Sequence, residues 1–117
     1  MSSRRPTLEH TPVLAVVVVG GPSKLVEAVQ RVVTVVANAT VFTSEVKEAA
    51  NQVTLVRPAA IVMSEEIYAF DSAEFAALAR DVQATLIALP TDSATVRQLQ
   101  RELAPRIMDA FREYFRD

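Results

Sequence analysis

An uninterrupted stretch of seven apolar residues constrains the fold of this chain more than any other feature. Val13–Val19 has the sequence VLAVVVV and is followed at once by Gly20-Gly21-Pro22. A β-branched run of this length that ends in turn residues is typical of a strand buried on both faces, as in a parallel sheet. The run is also far too short to cross a bilayer. We therefore expect a central strand with helices packed on both sides of the sheet.

Three further short stretches predict the remaining strands. Ala39–Thr43 alternates in the manner of an edge strand, and Ala59–Met63 and Thr85–Leu89 are more uniformly apolar. Helical patterns separate these stretches. The order βαβαβαβ followed by a terminal helix predicts a (βα)4-type α/β fold, a three-layer sandwich around a four-stranded parallel sheet with right-handed crossovers.

The first helix has a clear start and an ambiguous end. Ser23 can cap it, and its apolar stripe would consist of Leu25, Val29, Val32 and Val36. Because the end of this segment is β-branched, Arg31–Val36 could instead form a hairpin with Thr40–Thr43.

Capping signals predict the next two helices. Ser44 is expected at the N-cap of the second helix, which should end at Arg57-Pro58 because the residue before a proline avoids the helical region. Asp71 is expected at the N-cap of the third, which should run to about Asp81. Glu74 would complete a capping box with Asp71, and Phe70 and Phe75 would form a hydrophobic staple.

The last segment is helical throughout. Its apolar residues recur at spacings of three and four on both sides of Pro105, namely Val96, Leu99, Leu103, Ile107, Phe111 and Tyr114. Proline inside a helix removes a hydrogen bond and clashes with the preceding turn. One long kinked helix and two separate helices are both compatible with the pattern, and we favour a break or sharp kink at Ala104-Pro105.

One segment resembles a known family. Arg57–Ser64, RPAAIVMS, is similar to the third-strand signature of bacterial response-regulator receiver domains, in which an Arg-Pro-Asp turn leads into a strand that ends at the phosphoacceptor aspartate. The order of elements over residues 12–89 resembles that family too. The resemblance implies a flavodoxin-like layout with strand order 2-1-3-4. The family's fifth strand has no counterpart in this sequence.

The residues that carry the chemistry of receiver domains are replaced here. The acidic pair after the first strand corresponds to Gly20 and Gly21, and the phosphoacceptor corresponds to Ser64. The switch Ser/Thr falls at Pro90, or one residue later at Thr91. The family's lysine has no equivalent, since the only lysines are at positions 24 and 47. Phosphoryl transfer to a carboxylate needs a metal and its ligands. The resemblance therefore implies a degenerate, phosphorylation-independent member that is not an enzyme and holds no metal or cofactor.

Composition excludes several other classes of protein. The chain has no cysteine, which excludes disulfides, thiolate catalysis and cysteine-based metal sites. Its net charge is −2 without a basic patch, so nucleic-acid binding is not expected. Arg4-Arg5 and the only histidine, His10, fall in a polar segment, residues 1–11, which we expect to be a flexible tail before a single domain over residues 12–117. We expect a cytoplasmic, bacterial protein without membrane attachment.

Two loops offer weaker candidates for chemistry. Gly20–Lys24 opens a helix after a strand, where anions can bind, but it matches neither a P-loop nor a dinucleotide fingerprint and is typical of a tight turn. Ser64, Glu65 and Glu66, with Asp71 and Asp92, could form an acidic rim for a hard cation, although charged loop residues are usually only solvated. As a nucleophile Ser64 would need a base, and nothing in the spacing supplies one.

Binding through surfaces is the function that remains. The C-terminal helix is richer in apolar residues than one buried face needs, so it either packs in the core or also docks a protein partner or a second copy of the chain. This predicted interaction surface comprises Val96, Leu99, Leu103, Ile107, Met108, Phe111, Tyr114 and Phe115. The alternative is a sensor of a small ligand or nucleotide at the sheet edge, formed by Gly20, Thr43, Ser64 and Thr91.

Overall fold

The structure is a computed structural model and describes residues 14–36 and 38–116. The predicted tail, with Arg4, Arg5 and His10, lies outside the described residues, and so does Val13. In chain order the elements are β1 (Ala15–Val19), α1 (Ser23–Val36), β2 (Thr40–Ser44), a 3₁₀ turn (Val46–Glu48), α2 (Ala49–Val56), β3 (Ala60–Ser64), α3 (Glu65–Phe70), α4 (Ser72–Val82), β4 (Thr85–Leu89) and α5 (Val96–Phe115).

The four strands form one parallel sheet in the order β2-β1-β3-β4, which confirms the predicted fold class and strand order. In the centre of the sheet Val17 lies beside Phe42 of β2 on one side and Ile61 of β3 on the other. Every residue of β1 and β3 is buried, because both faces of these central strands are covered. β2 lies at one edge, as its alternating pattern predicts, and is exposed or half-buried along its length.

Helix α1 continues without interruption to Val36, so the alternative hairpin is wrong. The helical period brings five residues onto the face that meets the sheet, and all five are buried: Leu25, Ala28, Val29, Val32 and Val33. Valine is a weaker helix former than alanine by less than about 0.7 kcal/mol per residue. Burying a valine side chain contributes about 1.5–3 kcal/mol, so packing outweighs the intrinsic preference.

The second helix begins later than predicted. Ser44 is the last residue of β2 rather than an N-cap, and its hydroxyl donates to the carbonyl oxygen of Glu45 at 2.9 Å. A 3₁₀ turn then leads into α2 at Ala49. The predicted end is confirmed: α2 stops at Val56, and Arg57 takes a left-handed conformation with φ of 50° ahead of the buried Pro58.

The capping box and staple predicted at Asp71 are not formed. A short helix that the sequence did not predict, α3, occupies the residues before Asp71, so Asp71 links two helices with φ −154° and ψ 58°. This backbone conformation lies outside the extended region that an N-cap normally uses, and the carboxylate of Asp71 makes no capping hydrogen bond. Phe70 is 86% exposed and therefore cannot form a staple with Phe75.

Helix α5 runs without a break across Pro105, so the single helix is the correct alternative and a break at Ala104-Pro105 is wrong. Pro105 lies on the exposed side of the helix. Because proline has no N–H, the backbone carbonyl of Arg101 has no helical donor. Arg101 is also exposed, so water can hydrogen-bond to this carbonyl. The opposite face buries Leu99, Leu103, Ile107, Ala110 and Phe111 on both sides of the proline. Each large side chain contributes about 1.5–3 kcal/mol when buried, which together exceeds the ~3 kcal/mol cost of an internal proline.

Two helical layers enclose the sheet. On one face α1 and α5 pack against each other and over Val16, Val18, Ile87 and Leu89. On the other face α2, α3 and α4 pack over the side chains of the alternate strand positions, among them Val17, Val19, Ile61 and Met63. We call these the α1–α5 layer and the α2–α4 layer. Among the described residues, no helix is long and apolar enough to span a membrane.

Candidate functional site

The positions that correspond to receiver chemistry do meet at one edge of the sheet. Gly20 directly follows β1, Ser64 ends β3, and Pro90 follows β4. The parallel register aligns these strand ends, with Val19 beside Ser44 and Met63, and Ser64 beside Leu89. The carboxyl ends of parallel strands are where open α/β sheets bind ligands. We call this region the carboxyl edge.

Two apolar side chains approach Gly20 at the end of β1, although Gly20 itself is exposed. Gly20 has φ of 82°, and a Cβ atom built on it would collide with Cδ1 of Ile67 in α3. The same Cβ would lie 3.1 Å from Cγ2 of Val46, which is in the turn after β2. A side chain at position 20 would therefore require Ile67 to move its terminal methyl group. The positive φ of Gly20 is the stronger reason for glycine at this position.

The hydroxyl of Ser64 has a structural partner. Ser64 is only 3% exposed, and its Oγ accepts a hydrogen bond from the backbone N–H of Ile67 at 3.2 Å. This bond caps the N-terminus of α3. The same serine thus fixes the helix that carries the isoleucine over Gly20. A serine nucleophile needs a base within hydrogen-bond reach, and among the described residues no hydrogen bond to a basic side chain is seen at Ser64.

The four residues of the predicted ligand rim do not line a common cleft. Thr43 is exposed on the edge strand β2, whereas Thr91 is buried after β4 and its carbonyl accepts from the N–H of Ala94 at 3.2 Å. Gly20 is exposed beside Ile67, and the hydroxyl of Ser64 is hydrogen-bonded to the N-terminus of α3. A small-ligand site built from these positions gains no support from their geometry.

A cleft of about 500 Å³ lies further along the carboxyl edge, between the end of β4 and α5. Its charged lining consists of Glu65, Asp92, Glu102, Arg101 and Arg106, and none of the four predicted rim residues contributes to it. Two members of the predicted acidic rim, Glu65 and Asp92, do lie here. The arginines share the cleft with them, and no group of three or more potential metal ligands occurs in the part of the chain that the structure describes.

The predicted interaction surface on α5 divides into three sets. Leu99, Leu103, Ile107 and Phe111 are buried against α1 and the sheet, which agrees with the core-packing alternative. Val96 and Tyr114 are half-buried at the margin of that core. Met108 and Phe115 remain 43% and 66% exposed. The residues of α5 available to a partner are therefore those at its C-terminal end.

The exposed end of α5 combines apolar and charged groups. The rings of Tyr114 and Phe115 meet edge to face at 5.4 Å between centroids. Two ion pairs flank them on the same helix, Arg112 with Asp109 and Arg116 with Glu113, both at 2.7 Å. Exposed pairs of this kind contribute little to stability. The end of α5 therefore presents an aromatic pair at the surface, next to two exposed ion pairs.

Sequence reasoning missed two functional details. The first is the capping box of α5, in which Thr95 Oγ1 accepts from the N–H of Gln98 and Gln98 Oε1 accepts from the N–H of Thr95. The Thr-x-x-Gln spacing was a sufficient signal for it. The second is Ile67, whose position over Gly20 depends on α3 and on packing between elements, and no local pattern signals it.

Comparison of the chain with protein-family models, with curated proteins and with solved structures gave no match. The fold itself defines the class: an α/β protein with an all-parallel four-stranded sheet in the order 2-1-3-4 and helices on both faces.

Proposed function

We propose that this chain is a non-catalytic signalling or scaffolding module that acts by binding another protein or a second copy of itself, independently of phosphorylation. The observation that carries the proposal is that the residues at the ends of β1 and β3 offer no catalytic group: Gly20 and Gly21 have no side chain, and Ile67 Cδ1 lies where a Cβ of residue 20 would be. The cap that Ser64 provides to α3 supports the same conclusion. On this proposal the likeness to receiver domains lies in layout and not in chemistry.

The contact surface in this proposal is the exposed C-terminal part of α5. Met108 and Phe115 are two helical turns apart and so lie on the same side of the helix, and Tyr114 packs beside Phe115. Large aromatic side chains bury much apolar area at little entropic cost and dominate many interfaces. The burial of Leu99, Leu103, Ile107 and Phe111 narrows the predicted surface to this end of the helix.

The experiment that tests the proposal replaces both exposed apolar residues by aspartate, Met108→Asp with Phe115→Asp. We expect the wild-type chain to sediment as an associated species, or to retain a protein partner when immobilised, and the double variant to lose that association while its circular dichroism is unchanged. Leu55→Asp is the matched control, because Leu55 is 81% exposed on the opposite layer. A wild-type chain that stays monomeric at all concentrations and retains no partner contradicts the proposal.

A further inference from the structure

Neither edge strand of the sheet carries a charged residue or a proline, and β4 is the more apolar of the two. In the described part of the chain, β4 pairs only with β3, so its other edge faces outward. Its sequence, TLIAL, contains no charged residue and no proline, whereas exposed edges normally carry lysine, proline or a bulge. The opposite edge strand, β2, also lacks charge and proline, but three of its five residues carry hydroxyl groups. β4 is therefore the edge better suited to accept another strand.

Hydrogen bonding within the sheet identifies which backbone groups are free. The N–H of Thr85 donates to the carbonyl oxygen of Ala59 at 3.0 Å, on the side of β3. Successive residues of a strand direct their N–H and C=O groups to alternate sides. Leu86 and Ala88 therefore direct theirs to the outer edge. By the same reasoning, Thr40 donates to Leu14 at 2.9 Å, which leaves Val41 and Thr43 to face outward from β2.

The two ends of this edge carry opposite charge. At the C-terminal end of β4 the cleft described above presents the carboxylates of Glu65, Asp92 and Glu102 against the guanidinium groups of Arg101 and Arg106, a net negative lining. At the N-terminal end, beside Thr85, a second cleft of about 540 Å³ is lined by Arg57 and Arg116 against Glu113, a net positive lining. Antiparallel pairing of two copies would bring each negative end against a positive one.

We propose that the outer edge of β4 pairs antiparallel with β4 of a second copy about a two-fold axis, joining the two sheets into one. With Ile87 on the axis, Leu86 of each copy lies opposite Ala88 of the other and exchanges two hydrogen bonds with it, so every outward group of both residues is satisfied. A two-fold axis makes the contact self-complementary and closed. The inference rests on the proposed function and names its partner as the chain itself.

The surface on α5 adjoins this edge. Tyr114, Glu113 and Arg116 line the same cleft as Thr85 and Gln83, at the N-terminal end of β4. A second copy paired along β4 would therefore also reach the end of α5. In such a dimer, hydrogen bonds between the two β4 strands fix how the copies align, and the aromatic side chains at the end of α5 add buried apolar surface.

The test compares proline on the two edge strands. Ala88→Pro removes one outward N–H from β4 without breaking a bond to β3, and Thr43→Pro removes the equivalent N–H from β2. We expect sedimentation equilibrium to give a dimer for the wild type and for Thr43→Pro. In Ala88→Pro the dissociation constant should rise about tenfold or more. Should either proline disturb the fold, Ala88→Lys is compared with Thr43→Lys, with circular dichroism to show that lysine at the half-buried Ala88 leaves the fold intact.

Hydrogen exchange gives an independent readout. The amides of Leu86 and Ala88 should become protected as the protein concentration rises, and that of Thr43 should not. Dimers that withstand both Ala88 substitutions, or protection of Leu86 and Ala88 that does not depend on concentration, would overturn the edge pairing. If dimers withstand them but Met108→Asp with Phe115→Asp abolishes association, the proposed function stands and the strand contact fails. A wild type that never dimerises also refutes the strand contact, and retention of another protein then decides the proposed function.

Discussion

The α1–α5 layer and the α2–α4 layer cover the same sheet in different ways. The first consists of helices of 14 and 20 residues that pack directly on each other. The second is divided among helices of 8, 6 and 11 residues and a 3₁₀ turn. The long helices bury one continuous apolar stripe each, whereas the short helices build their core from a few residues apiece. Only the second layer also reaches the end of β1, where Ile67 lies beside Gly20.

The largest expected effect tests the stabilising role of the α1–α5 layer. Leu103 is completely buried between α5 and its neighbours. Leu103→Ala should lower the free energy of unfolding by about 2–5 kcal/mol, because it removes buried apolar atoms and leaves a cavity. Leu55→Ala, at an exposed leucine of the other layer, should change it by no more than about 0.5 kcal/mol. Urea denaturation measures both, and equal losses would contradict the burial of Leu103 in the α1–α5 layer.

A second prediction concerns the proline inside α5. Pro105→Ala should raise the free energy of unfolding by about 1–3 kcal/mol, since the alanine restores an N–H donor and relieves the clash with the preceding turn. Pro90→Ala, at an exposed proline in the loop after β4, is the control and should bring no such gain. A loss of stability in Pro105→Ala would mean that the proline shapes α5 to fit α1.

The third prediction tests the contact between the α2–α4 layer and the end of β1. Gly20 and Gly21 have nearly the same φ, 82° and 80°, but only at Gly20 does a side chain, that of Ile67, lie where a Cβ atom would be. Gly21→Ala should cost about 1–2 kcal/mol for the left-handed conformation. Gly20→Ala should cost more, because the new methyl group collides with Ile67.

A thermodynamic cycle isolates this collision. In an Ile67→Ala background the difference between Gly20→Ala and Gly21→Ala should disappear, and chemical denaturation of the single and double variants measures it. A difference that persists without the isoleucine side chain would contradict the contact.

The smallest expected effect compares helix starts. Thr95 caps α5 through a reciprocal pair of hydrogen bonds, whereas Asp71 makes no capping bond to α4. Thr95→Ala should therefore cost about 0.5–2 kcal/mol, and Asp71→Ala should change the thermal midpoint little. A larger loss at Asp71 would show that the carboxylate caps α4 in solution.

The sequence was most informative where one local pattern had one physical explanation. The valines of β1 predict a buried parallel strand, and burial of all its residues is what the sheet shows. Arg57-Pro58 predicts the end of α2 correctly for the same reason, since the constraint is steric and local.

Prediction failed where packing between distant elements overrode a local preference. The proline of α5 is tolerated because the stripe on either side of it is held by α1 and the sheet. Helix α3 begins at Glu65 because Ser64 caps it. In the sequence, Ser64 is interpreted only as the end of the third strand, so the helix after it is not predicted. Of the candidate site, the sequence predicted that Gly20 and Ser64 share an edge, but not that Ile67 lies beside Gly20.

The contact between α1 and α5 joins segments far apart in the chain, since α1 ends at Val36 and α5 begins at Val96. During synthesis the valines on the inner side of α1 emerge long before the helix that covers them. Until α5 has been synthesised, these valines remain exposed on that side and can be bound by chaperones or by other nascent chains. Completion of the fold must therefore wait for the final helix, and nonlocal closure of this kind slows folding.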